Sequence, residues 1–226
     1  MEKTIYVINP NRLTDVTRGL KESLVPFQLK GGPAIECMTL HDGPAGIQNE
    51  QDVAAAAVLV GRMIDDLARS RGDCAAAFVI ACFSDPGLHL AREKTVRPVL
   101  GINECGLLTA LALGRRVGVI AILPTLMDRH ARGYAAAGIA SRIAGEYPLD
   151  LAVAQLRDAE ATRRRMQAVG RRLVREDGAD VLVLGCAGMS QYRAWLEDAL
   201  GVPVVDPTLA AVAVAMGRVA GQAPGF

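Results

Sequence analysis

Short, unbroken runs of apolar and often β-branched residues alternate along this chain with longer stretches whose apolar positions recur every three or four residues. The first pattern marks strands and the second marks helices packed by one face. It predicts strands over residues 4–8, 34–40, 75–82 and 98–101, and helices over 13–24, 52–71, 86–95 and 104–113. The order then begins again, with strands over 116–122, 151–156, 180–184 and 202–205 and helices over 126–137, 159–176, 190–200 and 208–219. Apolar strands without polar alternation are covered on both faces. Strands and helices taking turns through short connections build a parallel sheet wound by helices on each side. The expected fold class is therefore α/β, doubly wound.

The second half repeats the first. Residues 75–82 (AAAFVIAC) and 179–186 (ADVLVLGC) share their hydropathy and end in the same residue, Cys82 and Cys186. Pro98-Val99-Leu100 follows the first run at nearly the offset at which Pro203-Val204-Val205 follows the second. Val7-Ile8-Asn9-Pro10 and Ala121-Ile122-Leu123-Pro124 open the two halves. This predicts two pseudo-symmetric lobes, residues 1–114 and 115–226, dividing near Gly114-Arg115, with the C-terminal helix packing across onto the first lobe. A duplicated unit pairs naturally about a pseudo-twofold axis, which would put the active site in the cleft between the lobes, one cysteine on each side.

Composition narrows the function classes. The chain has 226 residues, 51% of them hydrophobic and 22% charged, enough to bury a sizeable core. A net charge of +1 and an aromatic content of 4% give no field for nucleic acid or an anionic membrane and no base-stacking platform. The cluster Arg163, Arg164, Arg165, Arg171 and Arg172 reads as a solvated helix face. The N-terminus lacks a long apolar targeting segment and no run reaches membrane-spanning length, so a cytoplasmic protein with reduced thiols is expected. Five cysteines show no C-x-x-C spacing and only three histidines accompany them, so no metal site is expected. The expected partner is a small-molecule substrate, and a homo-oligomer follows from general tendency alone.

Candidate chemistry collects at the strand ends, where open α/β sheets bind ligands. Cys82 and Cys186 each close a strand and precede a loop that leads into a helix. Free N–H groups and the positive dipole end of a helix would lower a thiol's pKa and hold an oxyanion. Either cysteine alone reads most simply as buried filler. Two at matching places of a duplicated unit suggest a pair of acid–base groups on opposite faces of one carbon, which is what inversion by proton transfer requires. Cys37, Cys74 and Cys105 lack this setting and read as structural. Gly188 would let backbone approach a ligand closely. Asn11 could donate its amide to a ligand carbonyl or serve a turn. Pro124-Thr125 is taken as its counterpart, with Thr125 bonding substrate or capping a helix. Ser84 could donate to an oxyanion or cap the helix behind it. Asp85 and Asp206 read as helix caps, and His130 as a partly exposed surface residue.

At these residues the sequence resembles the aspartate/glutamate/hydantoin racemase superfamily, in its hydantoin-racemase-like branch. The resemblance is carried by Val7-Ile8-Asn9-Pro10-Asn11, Ala81-Cys82-Phe83-Ser84-Asp85-Pro86-Gly87-Leu88, Ala91-Arg92-Glu93, Leu184-Gly185-Cys186-Ala187-Gly188-Met189 and Pro203-Val204-Val205-Asp206-Pro207. It implies catalytic cysteines at Cys82 and Cys186, working without metal or cofactor. It also implies substrate-binding positions at Phe83, Ser84, Ala187 and Gly188, with Asn11 and Thr125 lining the same pocket. The glutamate branch typically has Asn-Thr after the first cysteine and Thr-His after the second; here Phe83-Ser84 and Ala187-Gly188 stand there. That points away from glutamate and toward a 5-substituted hydantoin, allantoin or a similar cyclic ureide. An aspartate-type racemase, a maleate-type isomerase and a malonate decarboxylase remain open, as does a non-catalytic protein that binds a small acid.

Overall fold

The computed structural model describes residues 2–221. The first half contains β1 (Thr4–Asn9), α1 (Thr14–Ser23), β2 (Ala34–Thr39), α2 (Glu50–Arg71), β3 (Ala75–Ile80), α3 (Leu88–Lys94), β4 (Val99–Gly101) and α4 (Ile102–Leu113). The second contains β5 (Val117–Ala121), α5 (Met127–Ala136), β6 (Ile143–Pro148), α6 (Ala159–Arg175), β7 (Val181–Leu184), α7 (Arg193–Leu200), β8 (Val204–Val205) and α8 (Pro207–Ala220). All strand pairs are parallel, in two sheets ordered β2-β1-β3-β4 and β6-β5-β7-β8. The fold is α/β as expected, and the two sheets repeat one connectivity. The chain divides into two compact units: the residues through Cys105 together with those from Thr208 onward, and Gly106–Pro207. The division thus falls inside α4, where the sequence pattern placed it at residue 114, and the C-terminal helix belongs to the first unit.

Each unit has its own core. In the first, Tyr6, Ile8, Ile64, Phe78 and Ile80 are buried together; in the second, Ile120, Met166, Leu173, Leu182 and Leu184 are. Every residue of β3 and of β7 is buried, as the unbroken apolar runs require of central strands with two covered faces. Helix starts follow local chemistry. The Asn49 side chain accepts the Asp52 N–H at 3.0 Å ahead of α2, and Asp158 accepts the Ala161 N–H at 3.0 Å ahead of α6. No helix among the described residues is long and apolar enough to cross a membrane.

One strand differs from the expectation. The apolar run over 151–156 leads into a short 3-10 turn, Val153–Arg157, whose Leu156 is buried and whose Leu156 carbonyl accepts the Tyr192 hydroxyl at 2.6 Å. The strand at this place is β6, which carries Gly145 and Glu146 and so does not read as an apolar run. It pairs only with β5, at the sheet edge, where its closing Pro148 leaves no ladder donor missing. Glu146 is tolerated because His130 and Tyr134 of α5 reach it, Nδ1 to Oε1 at 2.6 Å and the Tyr134 hydroxyl to Oε2 at 3.0 Å. His130 is accordingly buried, at 6% exposure, and is not the partly exposed residue the sequence suggested.

Candidate functional site

The registers of the two sheets set the two cysteines at equivalent places. Ile8 pairs with Ile80, and the Ala81 N–H donates to the Ile8 carbonyl at 2.8 Å. Ile120 pairs with Leu184, and the Gly185 N–H donates to the Ile120 carbonyl at 2.8 Å. Cys82 and Cys186 each follow the last paired residue of the third strand by two positions. Both are half-buried, as is Cys74, whereas Cys37 and Cys105 are buried. Burial pushes the Cys37 thiol up to about 11 and the Cys105 thiol up to about 12.

In the first unit the chain turns tightly after Cys82. Its carbonyl accepts the Asp85 N–H at 2.9 Å, and Phe83 and Ser84 are buried in the turn. Asp85 has φ +43° and Gly87 φ +75°, both left-handed. At Gly87 a Cβ would lie 2.5 Å from the Ala57 carbonyl oxygen of α2, so only glycine fits. The helix behind this loop, α3, starts at Leu88, later than the pattern placed it. Asp85 does not cap that helix. Its Oδ1 accepts the Asn103 N–H and its Oδ2 the Glu104 N–H, each at 3.1 Å, at the start of α4. Desolvation outweighs these bonds and the nearby Arg92, and raises the carboxyl to about 7. Arg92 in turn donates to the Val99 carbonyl at 3.1 Å and to Glu104 at 2.6 Å.

Asn11 lies in the same unit, past the end of β1, at 6% exposure. Its Oδ1 accepts the Leu13 N–H at 2.9 Å, so the oxygen serves the turn. The neighbouring Asn9 side chain donates to the Leu13 carbonyl at 3.0 Å and to Thr17 at 3.1 Å, and accepts the Asn11 N–H at 3.3 Å. These bonds fix the orientation of the Asn11 amide, whose Nδ2 is not used by the turn.

In the second unit, Cys186 opens a 3-10 segment, Ala187–Tyr192, and α7 begins only at Arg193. The Gly188 N–H donates to the Cys186 Sγ at 3.4 Å, and Ala187 is buried. A Cβ at Gly188 would lie 3.0 Å from Leu156 Cδ1, so the loop packs tightly there. The sequence predicted a lowered thiol pKa. The opposite holds: burial raises Cys186 to about 11, the Gly188 N–H opposes this, and the Asp206 carboxylate adds to it. One N–H facing the sulfur and a 3-10 turn in place of a long helix do not offset desolvation.

The registers also correct one pairing made from sequence. Asn9 pairs with Thr39 and Ala121 with Pro148 at the ends of the first and second strands, so Asn11 corresponds to Leu123 and not to Thr125. Thr125 is exposed, within the 3-10 turn Pro124–Leu126. The bridge from Asp85 to α4 was missed because it joins residues 18 and 19 positions apart. The signal available was a glycine, Gly101, standing where α4 needs a cap. No group of three or more His, Cys, Asp or Glu among the described residues could hold a metal ion.

Residues 5–215 match a family model described as Asp/Glu/Hydantoin racemase. A hydantoin racemase of Pseudomonas sp. (strain NS671) is 34% identical over 212 residues, covering 92% of this chain and 82% of that protein. Among solved structures, an allantoin racemase from Klebsiella pneumoniae superposes with a TM-score of 0.89 at 30% identity, covering 97% of this chain and 88% of that one. An allantoin racemase from Pseudomonas fluorescens gives 0.87 at 27% identity, covering 96% and 91%.

Proposed function

Since the chain belongs to the Asp/Glu/hydantoin racemase family, we propose that it racemises a 5-substituted hydantoin, allantoin or a similar cyclic ureide with Cys82 and Cys186 as its two bases. The observation that carries this reading is the equivalence of the two cysteines, each two positions past the last paired residue of the third strand in its sheet. In the proposed cycle one thiolate takes the proton from the stereocentre and becomes a thiol. The electron pair left behind delocalises into the adjacent ring carbonyl as an enolate. The other cysteine, as a thiol, returns a proton to the opposite face and becomes the thiolate. The mirror-image substrate runs the same steps with the roles exchanged.

The raised pKa of Cys186 supports its starting as the thiol, the proton donor, near neutral pH. Backbone N–H groups of the turns after Cys82 and Cys186, with the Asn11 amide, are the proposed donors to the ring oxygens. A ring substrate suits such a site. Its carbonyl is neutral, whereas removing the α-proton of a free amino acid loads charge beside an existing carboxylate. The names of the similar hydantoin and allantoin racemases support the same substrate class.

Proton NMR in D₂O tests the proposal. Single enantiomers of a benzyl- or alkyl-hydantoin, allantoin, aspartate and glutamate are incubated with the protein, and the stereocentre proton is followed together with optical rotation. Exchange with loss of rotation is expected for a ring substrate. Cys82→Ala and Cys186→Ala should each abolish racemisation, by about a thousandfold or more, as expected when a base is removed. A folded single variant that racemises at the wild-type rate would rule out the two-base mechanism. Turnover confined to aspartate, or a covalent adduct with maleate, would move the assignment to another reaction of the superfamily.

A further inference from the structure

We propose that Asp85 is the positioning residue for Cys82: its carboxylate ties the thiol's turn to the N-terminus of α4. The inference rests on the two-base reading above for its catalytic consequence, and on geometry for the rest.

A helix leaves its first N–H groups without intrahelical partners, and the residue just before the helix normally accepts one of them with its own side chain. For α4 that residue is Gly101, which has no side chain. The cap comes instead from Asp85, sixteen positions earlier in sequence, whose two oxygens take the Asn103 and Glu104 N–H groups. These are the second and third residues of the helix, the donors an ordinary cap would bind. The space Gly101 leaves open is the space the carboxylate fills: a Cβ at 101 would sit 2.2 Å from Asp85 Oδ2.

The second repeat carries a carboxylate at the matching place in sequence. By the registers Phe78 to Val99 and Leu182 to Val204, Gly101 corresponds to Asp206, and Asp85 corresponds to Met189. Asp206 stands immediately before α8, so a carboxylate is already at the position where the first unit has none. A helix cap alone would need only an aspartate at 101, the residue just before the helix. Supplying it from 85 does something more. The Asp85 N–H is bound to the Cys82 carbonyl at 2.9 Å, so the same residue that grips α4 also closes the turn carrying the thiol. Asp85 holds a left-handed backbone to do so, a conformation that only Gly, Asn and Asp adopt readily.

The experiment separates capping from positioning. Asp85→Gly keeps the left-handed turn available and removes both contacts. The double variant Asp85→Gly/Gly101→Asp then restores a cap to α4 from the local position, without restoring the tie to the turn. Thermal melting, kcat and KM, and the iodoacetamide labelling rates of Cys82 and Cys186 by peptide mass spectrometry are measured on each. The expected result is that the double variant melts close to the wild type, yet retains a kcat lower by about tenfold to a hundredfold, the scale set by displacement of a reacting group by about an ångström. Its KM should stay within about threefold, and labelling should change severalfold at Cys82 and not at Cys186. Recovery of kcat and of Cys82 labelling in the double variant would overturn the proposal, leaving Asp85 a cap and nothing else. Equal changes at both thiols would also overturn it. Labelling needs no turnover, so it decides the positioning role even if none of the ureides proves to be a substrate.

Discussion

At the scale of single residues, the environment of Cys186 sets which proton it holds. Its thiol is raised from 9.0 to about 11, so near neutral pH it is protonated, and its thiolate fraction grows about tenfold per pH unit on approach to that value. Iodoacetamide labelling of Cys186 should rise with that slope between about pH 7 and pH 10. Asp206→Asn removes a charge that raises the thiol and should move the labelling curve to lower pH. A curve centred near the free-thiol value in the wild type would contradict the assignment. The same shift has a stability consequence. The folded protein keeps a proton that the unfolded chain loses between about 9 and 11, so this contribution is complete below 9 and is lost as pH rises through 11. Asp85 behaves alike in a lower window. Its contribution is full below about 4 and gone above about 7. The stability of the wild type relative to Asp85→Asn should therefore fall between about pH 4 and pH 7, measured by urea unfolding at each pH.

At the scale of elements, the strand missed by the apolar pattern is the one held by a polar cluster. Glu146 lies between His130 and Tyr134, with its side chain and that of His130 both under one-tenth exposed. Glu146→Ala strips two buried groups of this partner and should cost about 3 kcal/mol in urea unfolding. Glu146→Gln, which can still bond both, should cost clearly less; equal losses would mean that the carboxylate contributes shape alone. This cluster also marks what could be read from sequence. Central strands such as β3 and β7 were legible because burial on both faces leaves only apolar residues. An edge strand carrying Glu146 was not, because the partners that make it tolerable come from α5. The cysteine pair was legible because duplication repeats local patterns. The Asp85 bridge and the raised pKa of Cys186 were not, since both arise from tertiary packing that no local spacing encodes.

At the scale of the whole molecule, the near-neutral charge bears on the substrate. With a net charge of +1, the protein offers no long-range field to steer an ion. For an uncharged ring substrate, kcat/KM should therefore stay within about twofold when NaCl is raised from roughly 0.05 to 0.5 M, where the screening length shortens severalfold. A steep fall with salt would speak for a charged substrate drawn in by local charges beside the site, which the net charge does not reveal. The two units also record how a repeated fold diverges. Strand order and cysteine placement are the same in both, while the aspartate near the fourth strand occupies different positions, Asp85 in one and Asp206 in the other. Gly101 and Asp85 now block each other's replacement. Any side chain at 101 collides with the carboxylate, and loss of the carboxylate leaves α4 without its cap. A path from one arrangement to the other runs through either a displaced carboxylate or an uncapped helix, so sequence drift in the first unit meets a stability cost along this route at its first substitution.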